Sequence, residues 1–207
     1  MTQQAAARQA ARTYSPRERM VFSAAQLIRR DGVGATGMRD VAAHAEAPRG
    51  SLQHYFPGGK DQLVGEAVAW AGRYAARRVS RNLAALPPDD RRPSRLFAAL
   101  IAQWTDECLA TDFALGCPVA AVTVDCADAS DATRTAAAQA FTCWREPLTS
   151  ALAELGVPQP RAAALATLLV SALEGALLIA RAERDVHALT TVADELGPLL
   201  DAAVAPQ

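Results

Sequence analysis

Residues 36–60, TGMRDVAAHAEAPRGSLQHYFPGGK, read as a short helix, a tight turn and a second short helix that leads into the start of a third. Met38, Val41, Ala42 and Ala45 fall on one side of the first helix, while Arg39, Asp40 and His44 fall elsewhere, so roughly two turns can pack against a preceding element. Thr36 is placed to cap this helix, and the chain turns at Ala45-Glu46-Ala47. Pro48 opens the second helix, in which Leu52 and Phe56 face inward. Arg49, Gly50, Ser51, Gln53 and His54 are left outward, a set chemically suited to base edges in a DNA groove. Arginine pairs bidentately with guanine, glutamine with adenine and serine with either, and a glycine lets the backbone approach closely. Thr36, Tyr55 and Lys60 flank the readers and suit phosphates, which position a protein without reading sequence. Lys60 is the only lysine in the chain and stands beside a helix N-terminus.

Upstream, Ser15-Pro16-Arg17-Glu18 is a capping box with proline at the first helical position. Met20, Val21, Ala24, Ala25, Leu27 and Ile28 then recur at spacings of three and four, up to the stop signal Asp31-Gly32-Val33-Gly34. A third helix from about residue 59 to 82 turns Leu63, Ala67, Trp70, Tyr74 and Val79 to its packing side.

With these residues in place, the stretch resembles the helix-turn-helix of the TetR family of bacterial repressors, whose recognition segment often reads S-R-G-T-L-Y-Y-H-F-x-S-K-E-x-L. This chain has Pro48-Arg49-Gly50-Ser51-Leu52-Gln53-His54-Tyr55-Phe56, then Lys60-Asp61-Gln62-Leu63. Phe56-Pro57-Gly58-Gly59-Lys60, with Gly116-Cys117-Pro118-Val119, is similar to the narrower LmrA/YxaF-like branch. Two departures stand out. Glu46 sits in the turn where the family commonly places glycine, and a left-handed backbone there costs about 1 to 2 kcal/mol. Gln53-His54-Tyr55 replaces Tyr-Tyr-His, which offers an amide-to-adenine contact in place of an aromatic base contact, so the operator preference of relatives does not carry over.

Charge divides the chain in the same way. Residues 1–82 hold 13 Lys or Arg against 6 Asp or Glu, while residues 83–207 hold 8 against 16, so a net charge of −1 hides +7 and −8. The basic part is drawn to polyanions by counterion release. Length and a 51% hydrophobic content support two domains, and helical periods with no competing strand-like alternation support an all-α fold. Residues 1–14 read as a disordered basic tail bearing Arg8 and Arg12, 15–60 as the helix-turn-helix domain and 61–207 as a helical regulatory and dimerisation domain, with helix 59–82 linking the two.

Beyond a proline- and charge-rich loop at residues 86–93, helices are expected at about 94–111, 118–125, 130–155, 159–183 and 186–203, with Pro147 and Pro198 kinking or shortening theirs. Residues 162–180 are apolar enough to raise a membrane span, but Glu174 and flanking arginines fit burial in protein better, and the expected setting is cytoplasmic without a membrane partner. Cys108, Cys117, Cys126 and Cys143 show no C-x-x-C spacing and lie far from the histidines, so core packing is expected and no metal or other cofactor. A redox-responsive regulator, with Cys117 as its sensor, is the alternative they leave open. Catalytic fingerprints are absent, which points away from an enzyme.

Phe97, Trp104, Phe113, Phe141 and Trp144 are the clustered aromatic residues of the acidic part and, with Cys117 and Leu178, could line an apolar cavity, Glu174 offering a polar contact. The plainer alternative is ordinary core. Small residues Ala166, Ser171, Ala172, Gly175 and Ala176, and the stripe Leu189, Val192, Leu196, Leu199 and Leu200, suit helix pairing between two copies. The resemblance implies what these features would serve. It implies a homodimeric repressor on a pseudo-palindromic double-stranded operator, released when a small, apolar or aromatic inducer enters the C-terminal domain. A constitutive DNA-binding helical protein is the remaining alternative.

Overall fold

The computed structural model describes residues 14–48, 50–126 and 131–205, the side chain of Cys126 excepted. Among them the secondary structure is entirely helical. The elements are α1 (Pro16–Ala35), α2 (Met38–His44), α3 (Ser51–Tyr55), α4 (Gly59–Ala85), α5 (Pro93–Ala110), α6 (Pro118–Cys126), α7 (Asp131–Glu154), α8 (Gln159–Glu183) and α9 (His187–Asp201), with a 3₁₀ turn at Pro88–Asp90. The all-α expectation therefore holds, most boundaries falling within a few residues of those the sequence suggested. Helix α3 differs more, because it begins at Ser51 rather than at Pro48. Arg49, Arg8 and Arg12 lie outside the described residues.

The capping box forms as written. The Ser15 hydroxyl accepts from the Glu18 amide at 3.3 Å and the Glu18 carboxylate accepts from the Ser15 amide at 2.8 Å, which holds the Glu18 carboxyl below its usual range. Met20, Ala24, Ala25 and Ile28 are then fully buried. Removing each of the larger ones from water contributes about 1.5 to 3 kcal/mol. The stop signal acts inside α1, where Gly32 leaves helical geometry at φ 82°, ψ 172°. Thr36 does not cap α2: Gly37 occupies that position without a side-chain bond. Thr36 instead ends α1, with its hydroxyl donating to the Gly32 carbonyl at 2.7 Å.

Two compact units emerge, and neither is a single stretch of sequence. The first comprises residues 1–72 with 117–140, the second residues 73–116 with 141–207. Thus α4 gives its residues up to Gly72 to the first unit and the remainder to the second, while α7 divides after Ala140. In the first unit α6 packs on α1 and α2 packs on α1. Gly72 is required there. A Cβ at this position would stand 2.9 Å from both the Cα and the carbonyl oxygen of Ala140, so the α4 and α7 backbones approach as only glycine allows. Gly72→Ala is expected to cost about 1 to 3 kcal/mol through overpacking. Urea unfolding of the purified variant measures it.

In the second unit α9 packs on both α5 and α8, and α5 on α8. The loop before α5 is tied by Asp90, which accepts from Arg95 and Arg92; these bonds keep its carboxyl below the usual range. Asp201, at the end of α9, accepts from the amide and hydroxyl of Ser94 at 3.0 and 2.7 Å. Helix α8 is the one helix among the described residues long and apolar enough to cross a membrane, yet Leu165, Leu169, Leu173 and Leu177 are buried within the unit. Pro147 and Pro198 lie inside α7 and α9, which continue through them.

Candidate nucleic-acid interface

Helices α2 and α3 are joined by a turn whose geometry follows from its hydrogen bonds. The Ala47 amide reaches the Ala42 carbonyl at 2.9 Å and the Glu46 amide the Ala43 carbonyl at 3.1 Å, a Schellman closure that places Glu46 at the left-handed position. Its φ is 52°, so the residue stands where glycine is usual and carries a cost of about 1 to 2 kcal/mol. The Arg19 guanidinium adds a bond to the Ala45 carbonyl at 3.4 Å, fastening the turn to α1.

Within α3 the division of faces is the expected one. Leu52 and Phe56 are buried, whereas Gly50, Gln53 and His54 are exposed and Ser51 and Tyr55 half-buried. The Ser51 hydroxyl donates to the Pro48 carbonyl at 2.5 Å, and the His54 and Tyr55 rings stand edge-on with centroids 5.1 Å apart. The Gly58 amide donates to Gln62 Oε1 at 2.9 Å just ahead of α4, which places half-buried Lys60 in that helix's first turn. Arg17 spans the unit. Its guanidinium lies 5.3 Å from the Phe56 ring and donates to Glu66 at 2.6 Å. Thr36 is only 5% exposed, with its hydroxyl engaged inside α1. The first unit therefore sets Gly50, Ser51, Gln53, His54, Tyr55 and Lys60 along α3 and the start of α4, while Thr36 is buried at the end of α1.

The proposed ligand set is less unified. Phe97, Trp104 and Trp144 are buried in the second unit, Phe113 and Phe141 are half-buried there, and Leu178 is 58% exposed. Cys117 is buried and falls within the first unit. The Glu174 carboxylate oxygens are shielded from solvent, and so is Arg145 Nε, whose guanidinium donates to Thr142 at 3.4 Å and Thr167 at 3.5 Å. Among the described residues no three His, Cys, Asp or Glu side chains gather as a metal site.

Arg78 is the residue that sequence reading missed. It is 5% exposed, yet charged, and lies between Tyr74 and Trp104 with its carbon 5.7 and 5.1 Å from their ring centroids. Its Nε donates to Gln103 at 2.6 Å and its Nη1 to Glu107 at 3.0 Å. Gln103 in turn donates to Asn82 at 3.1 Å. Only the helical spacing Tyr74, Arg78, Asn82 in α4, opposite Gln103 and Glu107 in α5, hinted at this network. A second clamp explains Gly116. Asp112 and Phe113 are both left-handed, at φ 51° and 60°, and Arg181 donates to the Phe113 and Ala114 carbonyls at 3.3 and 3.2 Å. A Cβ at Gly116 would overlap the Arg181 guanidinium.

Two short helices joined by a tight turn, the first of them packed on α1, have the arrangement of a helix-turn-helix, the class of DNA-binding protein to which the comparisons also point. The family described as bacterial regulatory proteins, tetR family, matches residues 23–67, and that described as transcriptional regulator LmrA/YxaF-like, C-terminal domain, matches residues 93–195. An uncharacterized HTH-type transcriptional regulator of Mycobacterium tuberculosis is 44% identical over 190 residues, covering 89% of this chain and 94% of that one. YxaF of Bacillus subtilis, also an uncharacterized HTH-type transcriptional regulator, is 27% identical over 184 residues, with 89% and 94% covered. The crystal structure of the regulatory protein TetR from Rhodobacter sphaeroides shares the fold, with a TM-score of 0.76 and 18% identity over 87% of this chain and 96% of that one. This chain belongs to the TetR family of DNA-binding transcriptional regulators, and its C-terminal part to the LmrA/YxaF-like branch. Such proteins regulate transcription and are not enzymes.

Proposed function

We propose that the chain is a cytoplasmic homodimeric repressor that holds a pseudo-palindromic operator and releases it when a small apolar or aromatic molecule binds the second unit. The observation that carries the DNA-reading part is the exposed face of α3, where Gln53 and His54 project beside Gly50 while Leu52 and Phe56 anchor the helix from behind. Gln53, Ser51 and Arg49 are assigned to bases, Tyr55 and Lys60 to phosphates and His54 to either. Thr36 serves from within, by fixing the end of α1.

One short helix reads too few bases for specificity, and a twofold pair reads two half-sites about one helical turn apart. An apolar face suited to a second copy is present. Leu168, Leu178 and Ile179 on α8 are 42%, 58% and 48% exposed, beside exposed Ser171 and Gly175, and Leu199 on α9 is 39% exposed. This face replaces part of the sequence-based stripe, because Ala166, Ala176, Leu189 and Leu200 are buried inside the unit and unavailable to a partner. The inducer is assigned to the aromatic side of the second unit, where Phe113 and Phe141 are half-buried beside buried Phe97, Trp104 and Trp144. Glu174 is the proposed polar contact.

The test is a mobility shift with the DNA upstream of the chain's own gene at moderate salt, followed by a screen of aromatic compounds for release. Reciprocity requires that operator DNA weaken inducer binding, with a coupling of about 1 to 3 kcal/mol; equal inducer affinity with and without DNA refutes the switch. Substitutions separate readers from anchors. Gln53→Ala is expected to cost about 1 to 3 kcal/mol at specific base positions, whereas Lys60→Ala weakens all sequences alike and lowers the salt slope by about one. Fluorescence anisotropy on operator and random duplexes across a salt series distinguishes the two.

A further inference from the structure

We propose that Asp125, on α6, is a positioning residue for DNA reading: its carboxylate latches the break in α1 that aims α2 and α3. The inference rests on the assignment of α3 as the reading helix.

Three observations in the first unit carry it. Gly32 interrupts α1 at φ 82°, ψ 172°, which takes the Val33 amide out of the regular helical ladder. Asp125 Oδ2 accepts from that amide at 2.7 Å, from a residue 92 positions further along the chain. The two groups are also close-fitted, since a Cβ at Gly32 would stand 2.7 Å from the same carboxylate oxygen and would have to push it aside. Glycine at this position thus supplies both the left-handed backbone and the room for the carboxylate.

The latch controls more than one hydrogen bond. The Gly32 carbonyl accepts the Thr36 hydroxyl at 2.7 Å, and the Val33 carbonyl accepts the Thr36 amide at 3.2 Å. The whole connection from Gly32 to Gly37, which hands the chain to α2, is therefore built on the conformation that Asp125 holds. Helix α2 packs on α1 and runs through the Glu46 turn into α3. Without the carboxylate, the Val33 amide loses its acceptor and the break in α1 loses what fixes its angle. An amide–carboxylate bond is among the stronger kinds, and its loss frees the break to take up other angles, which would redirect α3. Asp125 needs no contact with DNA for this.

The experiment uses the full-length chain with a duplex selected from random DNA. Asp125→Ala is expected to weaken the selected duplex about five- to tenfold, to leave random-duplex affinity within about twofold and to keep the salt slope unchanged, because no phosphate contact is lost. Asp125→Asn, which keeps an acceptor oxygen, is expected to restore selective binding. Amide hydrogen exchange at Val33 supplies a readout independent of DNA, and should quicken in Asp125→Ala but not in Asp125→Asn. Unchanged selectivity in Asp125→Ala, an equal loss on both duplexes, or failure of Asn to rescue would each overturn the latch. If the wild-type chain selects no sequence at all, the assignment of the reading helix fails instead.

Discussion

Arg78→Ala is expected to destabilise the protein by about 3 to 5 kcal/mol, the cost of removing one partner from a buried ion pair. The size follows from what the guanidinium touches. Arg78 is 5% exposed, so its charge is accommodated only because Glu107, Gln103 and the faces of Tyr74 and Trp104 surround it. Truncation leaves a carboxylate whose side chain is 19% exposed, together with a glutamine carbonyl that has lost its donor. Arg78→Lys is expected to recover only part of the loss, since an ammonium lacks the planar face and the fixed fork of donors that meet the two rings, Gln103 and Glu107. Urea unfolding followed by circular dichroism measures both variants. A double-mutant cycle with Glu107→Gln should show strong coupling, and additivity would mean that the pair is not the source of the effect.

Phe56→Ala should cost about 3 to 5 kcal/mol as well, here by opening a cavity at the end of α3. The ring is 1% exposed and lies under the Arg17 guanidinium, which is itself paired with Glu66 on α4. Phe56 also marks the end of α3: its amide donates to the Leu52 carbonyl at 2.7 Å and its carbonyl accepts from Gly59 at 2.9 Å. Its loss should therefore abolish DNA binding on every sequence tested. Phe56→Leu, closer in volume, should retain binding at a smaller cost in stability. Thermal unfolding and a mobility shift on the same preparations check both, and full binding by Phe56→Ala would sink the anchoring role.

Much of the helix-turn-helix was legible because its determinants are local. A capping box, two helix periods and a turn occupy consecutive residues, and the Glu46 turn closes through bonds between Ala42, Ala43, Glu46 and Ala47. The regulatory part was less legible for a definite reason. Helix α8 carries apolar residues on most of its circumference, so a 3.6-residue period does not say which face turns inward. Ala166 and Ala176 went to the core, while Leu178 and Ile179 stayed outside. Helix α9 gave a similar error, for Leu189 and Leu200 are buried and Leu199 is exposed. Arg78 escaped notice because a lone arginine on a helix is ordinarily solvated, and its burial depends on two aromatic rings and a second helix.

By itself, the sequence determined the helices, the helix-turn-helix and the outward placement of Gln53 and His54, since each depends on spacing within a few turns of chain. Only the tertiary structure decided that residues 117–140 join the first unit, that Asp125 meets Val33 and that Arg78 is enclosed. These depend on segments tens of residues apart meeting at hydrogen-bonding distance. Periodicity fixes which residues share a face, but not what that face will touch.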